Sequence, residues 1–270
     1  MKFTLGTNFD VFVEDASKNK FIPSWEIINN NRANPLMLSS DNNYSMCVNN
    51  AAIEISIKAV KNKKEFIKST IKGKKLLEAY LNNLSPNYRI INDVCACLTN
   101  TQHKHPIGHS YDPDYNAYSE KNNSKPTFKV QSRFANGNIN IGYELNDFNT
   151  LINLVKRLDF YVGLWTTKYT PTYLETRRRK RCGKAGDFII ENHELKYKVL
   201  SNFWIFDPNI MEKMYERISM AINDTYDVNN VINDTLLKSL MKEAINNVDN
   251  NLAKHVYKLV EERTTEKCMI

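Results

Sequence analysis

No apolar run in this sequence of 270 residues approaches the ~18 residues that a membrane-crossing helix needs. A disulfide framework is missing too. The five cysteines, Cys47, Cys95, Cys97, Cys182 and Cys268, are odd in number and lack framework spacing, which reads as a reduced, intracellular chain. The opening Met1-Lys2-Phe3-Thr4-Leu5 has no apolar core of the kind a secretory leader carries. Neither an internal repeat nor a linker is visible. Gly183-Lys184-Ala185-Gly186 lacks the four residues between glycines, and the following Lys-Ser/Thr, of a phosphate-binding P-loop. These absences lead us to expect a cytoplasmic protein with no membrane partner.

What is present suits a sizeable core. Hydrophobic residues make up 42% of the chain, enough for one large domain or two small ones. Thirty-seven Lys and Arg against 30 Asp and Glu leave a net charge of +7, which suits anionic partners. Apolar stretches at Lys2–Leu5 and Val11–Val13 predict two strands, with Gly6 and Asn8 as turn residues between them. Ile53, Ile55 and Ile57 alternate with Glu54, Ser56 and Lys58, so a strand there places Glu54 opposite the isoleucines. Helical spacing over 63–83 brings Phe66, Ile67, Ile71, Leu77, Tyr80 and Leu81 to one side. A strand is expected over 89–98 and a polar loop over 99–125. Thr127–Ala135 and Asn138–Tyr143 read as a hairpin turning at Asn136-Gly137. Asp147 caps a predicted helix running to about Lys168, and Asp207-Pro208 opens another. Two further helices are expected over 233–263. The pattern predicts an α+β unit with a helical C-terminal third.

Four groups of residues invite chemistry. Pro171–Trp204 holds Arg177-Arg178-Arg179-Lys180-Arg181, then the two glycines and an alternating strand. Clustered cations beside glycine can neutralise phosphate or carboxylate, though such runs are more often solvated turns. Cys95, Cys97, His103, His105 and His109 suggest zinc, but their spacing matches no standard finger, so buried thiols and loop histidines are the reading taken. Glu54 is either solvent-facing or a metal ligand in the wall of a sheet. Asp112-Pro113-Asp114 reads equally well as an ordinary turn.

In combination these pieces resemble the phage-type carboxylate–amine ligases (COOH–NH2 ligase type 2), or amidoligases. Glu175-x-Arg177-Arg178-Arg179, Gly183-Lys184-Ala185-Gly186-Asp187-Phe188 and Tyr197 with Leu200-Ser201-Asn202-Phe203-Trp204 are similar to that family's Glu-Arg-Arg, Gly-Lys-Ala-Gly and Leu-Ser-Asn-Phe-Trp elements, in the same order. Asp112–Ala117 resembles its Glu-Pro-Asp-Tyr-Asn-Ala turn, and Asn136–Tyr143 its Gly-Gly-His-Ile-His-Ile-Gly-Tyr strand. Asn49–Glu54 and Gly6–Phe12 resemble two further family elements. The resemblance covers roughly residues 3–206. It implies a glutamine-synthetase-like fold, a curved and mainly antiparallel sheet with flanking helices, over 1–206. Residues 207–270 would then be C-terminal helices packed on the same domain. It also implies ATP- and Mg2+-dependent amide formation, with carboxylates holding metal against phosphates.

Under the resemblance, the catalytic positions are Asp10, Glu54, Asn138, Asn140, Lys196 and Lys198. Glu175, Arg177, Arg178, Gly183, Lys184 and Gly186 fall at the anion- or nucleotide-binding positions. Only Asp10 and Glu54 remain as metal ligands. The family's two histidines are Asn138 and Asn140, and its Glu-Tyr-Arg is Lys196-Tyr197-Lys198. A lysine at a metal ligand reverses the sign of the site. A degenerate homologue, acting as a binding or structural protein without ATP turnover, is therefore expected. Arg177, Arg178, Lys184 and Lys198 are expected to line one concave, anion-preferring site. ATP or an acidic small molecule or peptide, and a phage or host protein, are the partners considered, in host cytoplasm if the gene is a phage's. The alternatives are a working ligase with altered ligands and, less favoured, a nucleic-acid binder using Arg177–Arg181. The basic run contains no aromatic residue, and stacking is what usually grips single strands.

Overall fold

Along Thr-Leu-Gly-Thr-Asn-Phe-Asp-Val, apolar and polar residues alternate, and the chain extends without a break. The computed structural model describes residues 3–109, 114–124, 131–142, 147–170, 172–191, 193–224, 228 and 232–267. In it the two predicted N-terminal strands are one, β1 (Thr4–Asp15), with Gly6 and Asn8 inside it rather than in a turn. After it come β2 (Lys20–Ile22), β3 (Leu36–Met37), β4 (Tyr44–Asn49), β5 (Ala52–Val60), β6 (Tyr88–Ile91) and β7 (Cys95–Cys97). Then follow β8 (Tyr115–Asn116), β9 (Lys121–Asn122), β10 (Ser132–Phe134), β11 (Gly137–Gly142), β12 (Asp187–Glu191) and β13 (Glu194–Tyr197).

Eleven of these strands form one sheet in the order β3-β4-β5-β1-β11-β13-β12-β8-β9, with β2 and β6 on the far half of β1. Every pairing is antiparallel. The chain is thus α+β, as the pattern predicts. Directly opposed residues of antiparallel strands point the same way, so the register sorts the sheet into two faces. Thr7 pairs with Ile57 and Ile139, Phe9 with Ile55, and Ile141 with Leu195. These side chains form the apolar face. The first helix (Lys63–Leu84) brings Phe66, Leu77 and Leu81 into the same core, and the Phe148–Leu158 helix adds Leu151, Val155 and Leu158. Pro208–Asn223, Thr235–Asn247 and Asn250–Lys267 make the helical C-terminal third, and their apolar sides join that core. Among the described residues no helix is long and apolar enough to cross a membrane.

The Asn136-Gly137 hairpin does not form. β10 pairs with β7 in a separate two-stranded sheet, whereas β11 lies between β1 and β13 in the main one. Residues 125–130 and 143–146, which include both outer ends of the predicted hairpin strands, lie outside the described residues. Gly137 serves a different purpose from a turn. A Cβ there would land on the Ser201 carbonyl and the Trp204 indole nitrogen, and that indole donates to the Gly137 carbonyl (3.1 Å). The missing side chain allows two backbones to touch. The strand predicted over 89–98 is likewise split, β6 joining the main sheet and β7 the small one.

Asp147 caps its helix as expected, accepting from the Thr150 amide (2.8 Å). After Leu158 the helix widens into a π-turn at Asp159–Gly163 before Leu164–Thr166. Asp159 there faces β13 and accepts from the Tyr197 hydroxyl (2.6 Å). Burial pushes the Asp159 carboxyl up from 3.8 to about 7, against the Tyr197 bond, which pulls it down. Between roughly pH 4 and 7 the folded chain therefore keeps a proton that the unfolded chain has released. Stability falls as pH rises through that window, by at most about 1.4 kcal/mol per unit, and levels off above it. Asp159→Asn should remove this share of the slope while keeping an acceptor for Tyr197. Urea unfolding at pH 5, 6 and 7.5 checks it; parent and variant profiles of equal slope would refute the assignment.

Candidate functional site

The sheet's second face is polar, and the same register builds it. Asn8 lies opposite Ser56 and Asn138, Asp10 opposite Glu54, Glu54 opposite Cys47, and Asn140 opposite Lys196. Five of the six expected catalytic positions, Asp10, Glu54, Asn138, Asn140 and Lys196, thus lie on one face. A groove of about 600 Å³ opens over it. Glu54, Asn140 and Lys196 line that groove with Asn8, Asn43 and Ser56. Its charges balance: Arg32, Lys58 and Lys196 against Glu54, Glu191 and Glu194. Arg177, Arg178, Lys184 and Lys198 are not among its lining residues. The four cations expected to share a concave site therefore do not line this groove, whose formal charges cancel.

At its centre is a residue that the sequence reading passed over. Arg32 donates from Nε to Glu54 Oε1 (3.1 Å) and from Nη2 to Oε2 (2.7 Å). Burial works against the Arg32 charge, yet Glu54 and, more weakly, Asp10 hold its pKa above the ordinary value. Its signal in the sequence is slight: a lone cation in Asn29-Asn30-Asn31-Arg32-Ala33-Asn34-Pro35. Cys47 sits beside the pair, its thiol pushed up to about 12 by burial and then by the Glu54 charge. It is an inert thiol at neutral pH.

Asp10 is buried, and both of its oxygens are taken. Asn49 donates to Oδ1 (2.9 Å), while the Asn136 amide (3.0 Å) and its side chain (3.1 Å) donate to Oδ2. Burial, and next the Glu54 charge, raise Asp10 to about 7. Lys196 reaches across the β12–β13 hairpin to Glu191 (2.7 Å). The hydrogen bond from Lys196 holds the Glu191 carboxyl below its ordinary value, whereas burial raises Glu194. Asn140 donates to Asn8, and its own Oδ1 is a buried acceptor that meets no donor among the described residues.

A divalent cation does not fit this donor set. Both Glu54 oxygens are engaged by a guanidinium, both Asp10 oxygens by amides, and Lys196 adds a further cation to the face. Among the described residues no group of three or more His, Cys, Asp or Glu side chains could hold a metal ion. That bears on the zinc reading as well. Cys95 and Cys97 lie in β7, His105 stacks on Trp25 (centroids 4.6 Å apart) and His103 Nδ1 faces Arg133 Nη2 (3.3 Å).

The expected anion-binding residues scatter. Arg177–Arg179 form the last turn of a helix (Thr172–Arg179) rather than a loop. Arg178 and Glu175 are fully buried against each other: Arg178 Nε (3.0 Å) and Nη2 (2.6 Å) donate to Glu175 Oε1. Arg178 also donates to the Val199 carbonyl and, through Nη1, to Asn136 Oδ1 (3.1 Å). Asn136 therefore joins this internal clamp to Asp10. Arg179 is buried beside them, 3.2 Å from Glu175. Gly183 and Gly186 have φ of +70° and +83°, and a Cβ at Gly183 would land on the Arg178 guanidinium. At these glycines the backbone turns left-handed and packs closely on the Arg178 guanidinium and on Tyr118. Lys184 is exposed, its backbone amide donating to Asp187 Oδ2 (2.7 Å). Lys198 pairs with buried Asp114 (3.3 Å). Burial, followed by the Asp114 charge, raises Asp187 to about 6. Asp112 and Pro113 lie outside the described residues.

Compared with models of known protein families and with curated proteins, the sequence matches none.

Proposed function

We propose that this chain is an amidoligase homologue in which one face of a glutamine-synthetase-like sheet survives as a binding groove without ATP-dependent amide formation. The observation that carries the reading is Arg32, whose guanidinium spans both oxygens of Glu54. An acid so paired has its charge matched by a guanidinium that donates to each of its oxygens, which disfavours a divalent cation held there against phosphate, and phosphoryl transfer depends on that electrostatic organisation. The fold assignment draws its support from an antiparallel sheet with helices on its apolar face and the matched positions on its polar one.

The ligand suited to the groove is a small polar molecule or peptide segment carrying both donors and a carboxylate. The orphaned Asn140 acceptor takes a donor, and Lys58 offers a cation to an acid. We place the protein in the cytoplasm, a phage host's if the gene is a phage's, where it would serve a phage or host protein. The four described cysteines are free thiols, which suits a reducing compartment.

The test is ADP release with Mg2+, ATP and the common amino acids as amine donors. No release above background is expected. Mg2+-dependent release that disappears in Glu54→Gln would overturn the proposal and favour a working ligase with altered ligands.

A further inference from the structure

Away from the groove, the basic helix presents a row of side chains that the sequence does not reveal as one surface. Tyr173, Arg177 and Arg181 are spaced four residues apart, and residues so spaced are neighbours on a helix surface. The helix ends at Arg179, and Arg181 continues in the following turn, its amide donating to the Arg178 carbonyl (2.8 Å). Tyr173 is 70% exposed, unusually so for so large an aromatic residue. The Arg177 guanidinium lies over the Tyr173 ring, 5.4 Å from its centroid.

The row is braced against the small β7–β10 sheet. Arg177 Nη2 donates to Ser132 Oγ (2.9 Å), and Arg133 follows in the same strand. Burial and then the neighbouring Arg181 charge depress the Arg133 pKa, so two like charges are held close together here. Lys104 and Lys180 are exposed next in sequence to His103 and Arg181. Among the described residues neither Arg177 nor Arg181 forms an ion pair with a carboxylate. In the groove, by contrast, Arg32 and Lys196 are each matched to an acid. Cations left without an ion-paired acid among the described residues favour an anionic ligand, and an open aromatic ring beside them favours one that carries flat rings.

We propose that this surface binds single-stranded nucleic acid, with phosphates on Arg177 and Arg181 and an unstacked base on Tyr173. Phosphate contacts supply salt-dependent affinity, and stacking on an aromatic ring adds sequence-tolerant grip. A duplex keeps its bases stacked and cannot offer one to the ring. The surface shares none of its residues with the groove, so the inference stands or falls independently of the proposed function.

Fluorescence anisotropy of the whole chain with labelled 12-nucleotide oligo(dT) and oligo(U) tests it. Saturable binding at 50 mM salt, weakened about sevenfold at 200 mM, is expected for two phosphate contacts. Tyr173→Ala, at an exposed position, should weaken binding at least fivefold, and Arg181→Glu at least tenfold. Lys64→Glu, the same charge change at an exposed position on the first helix, should stay within twofold of the parent. No binding at 50 mM would overturn the proposal. So would equal affinity for a duplex, indifference to Tyr173→Ala, or a Lys64→Glu loss matching that of Arg181→Glu.

Discussion

Replacing Arg178 by alanine should destabilise the folded chain by about 3–5 kcal/mol, the range for breaking a buried ion pair and leaving one charge behind. Both Arg178 and Glu175 have fully buried side chains. The substitution would also strand the Val199 carbonyl and leave the Asn136 amide oxygen with only the weak Cys182 thiol donor (3.7 Å). In a chain of this size that corresponds to a fall in Tm of the order of 10 °C. Arg178→Lys keeps the charge but not the fork of donors, and should lose most of the same stability. Gly183→Ala should also be costly, because it combines a left-handed backbone with a Cβ placed on the guanidinium. Arg177→Ala, on the half-buried side of the same helix, should change stability by less than about 1 kcal/mol. Urea unfolding followed by tryptophan fluorescence gives all four values. An Arg178→Ala variant as stable as Arg177→Ala would show that the clamp contributes little.

The second large effect is a gain. Arg32→Ala should convert the polar face from one without measurable affinity for Mn2+ into one with saturable binding at or below millimolar concentration. The variant takes the guanidinium off both Glu54 oxygens and leaves only long contacts, from Asn8 (3.5 Å) and the Cys47 thiol (3.9 Å) to Oε1 and from Asn49 (3.5 Å) to Oε2, with the Asp10 carboxylate as cross-strand partner. Removing the cation lowers the charge of the face by one, which favours a hard divalent ion. The affinity should fall with acid, because burial and the Glu54 charge raise Asp10 to about 7, and a proton there competes with the metal. The stability cost should be about 1–2 kcal/mol, less than for Arg178, since the Arg32 side chain is 37% exposed and partly screened by solvent. Calorimetric titration with Mn2+ provides the readout, with Arg32→Ala/Glu54→Gln as the control that should lose the gain. If the parent binds Mn2+ as tightly as Arg32→Ala, the guanidinium is not what keeps cations out.

Much of the polar face was legible before any coordinates. Period-two alternation put Glu54 opposite three isoleucines, and the same alternation runs through Asn138 and Asn140, whereas Asn8, read as a turn residue, joined that face only in the folded strand. Helix boundaries followed from local chemistry as well. Asp147 and Asp207 cap where their side chains can reach the next free amides, and Pro208 sits where its missing N–H costs nothing. These features depend on neighbours within a few residues, so the sequence states them directly.

What the sequence could not state is which distant group each polar side chain meets. Arg32 reaches Glu54 from a loop 22 residues away, and no spacing rule connects them. The basic run looked like one solvated patch, yet the helix turns Arg178 and Arg179 inward to Glu175 and leaves Arg177 at the surface with Tyr173. Charge alone cannot distinguish these fates, because burying a guanidinium is tolerable only where acceptors converge from Glu175, Val199 and Asn136 at once. Asn136-Gly137 read as a turn because glycine permits turns. The fold uses that glycine for a close approach by Ser201 and Trp204, more than sixty residues on. Periodicity along the chain determined the two faces of the sheet. Only the tertiary structure decided which charges are neutralised inside and which face solvent, because that outcome depends on desolvation and on partners brought together by folding.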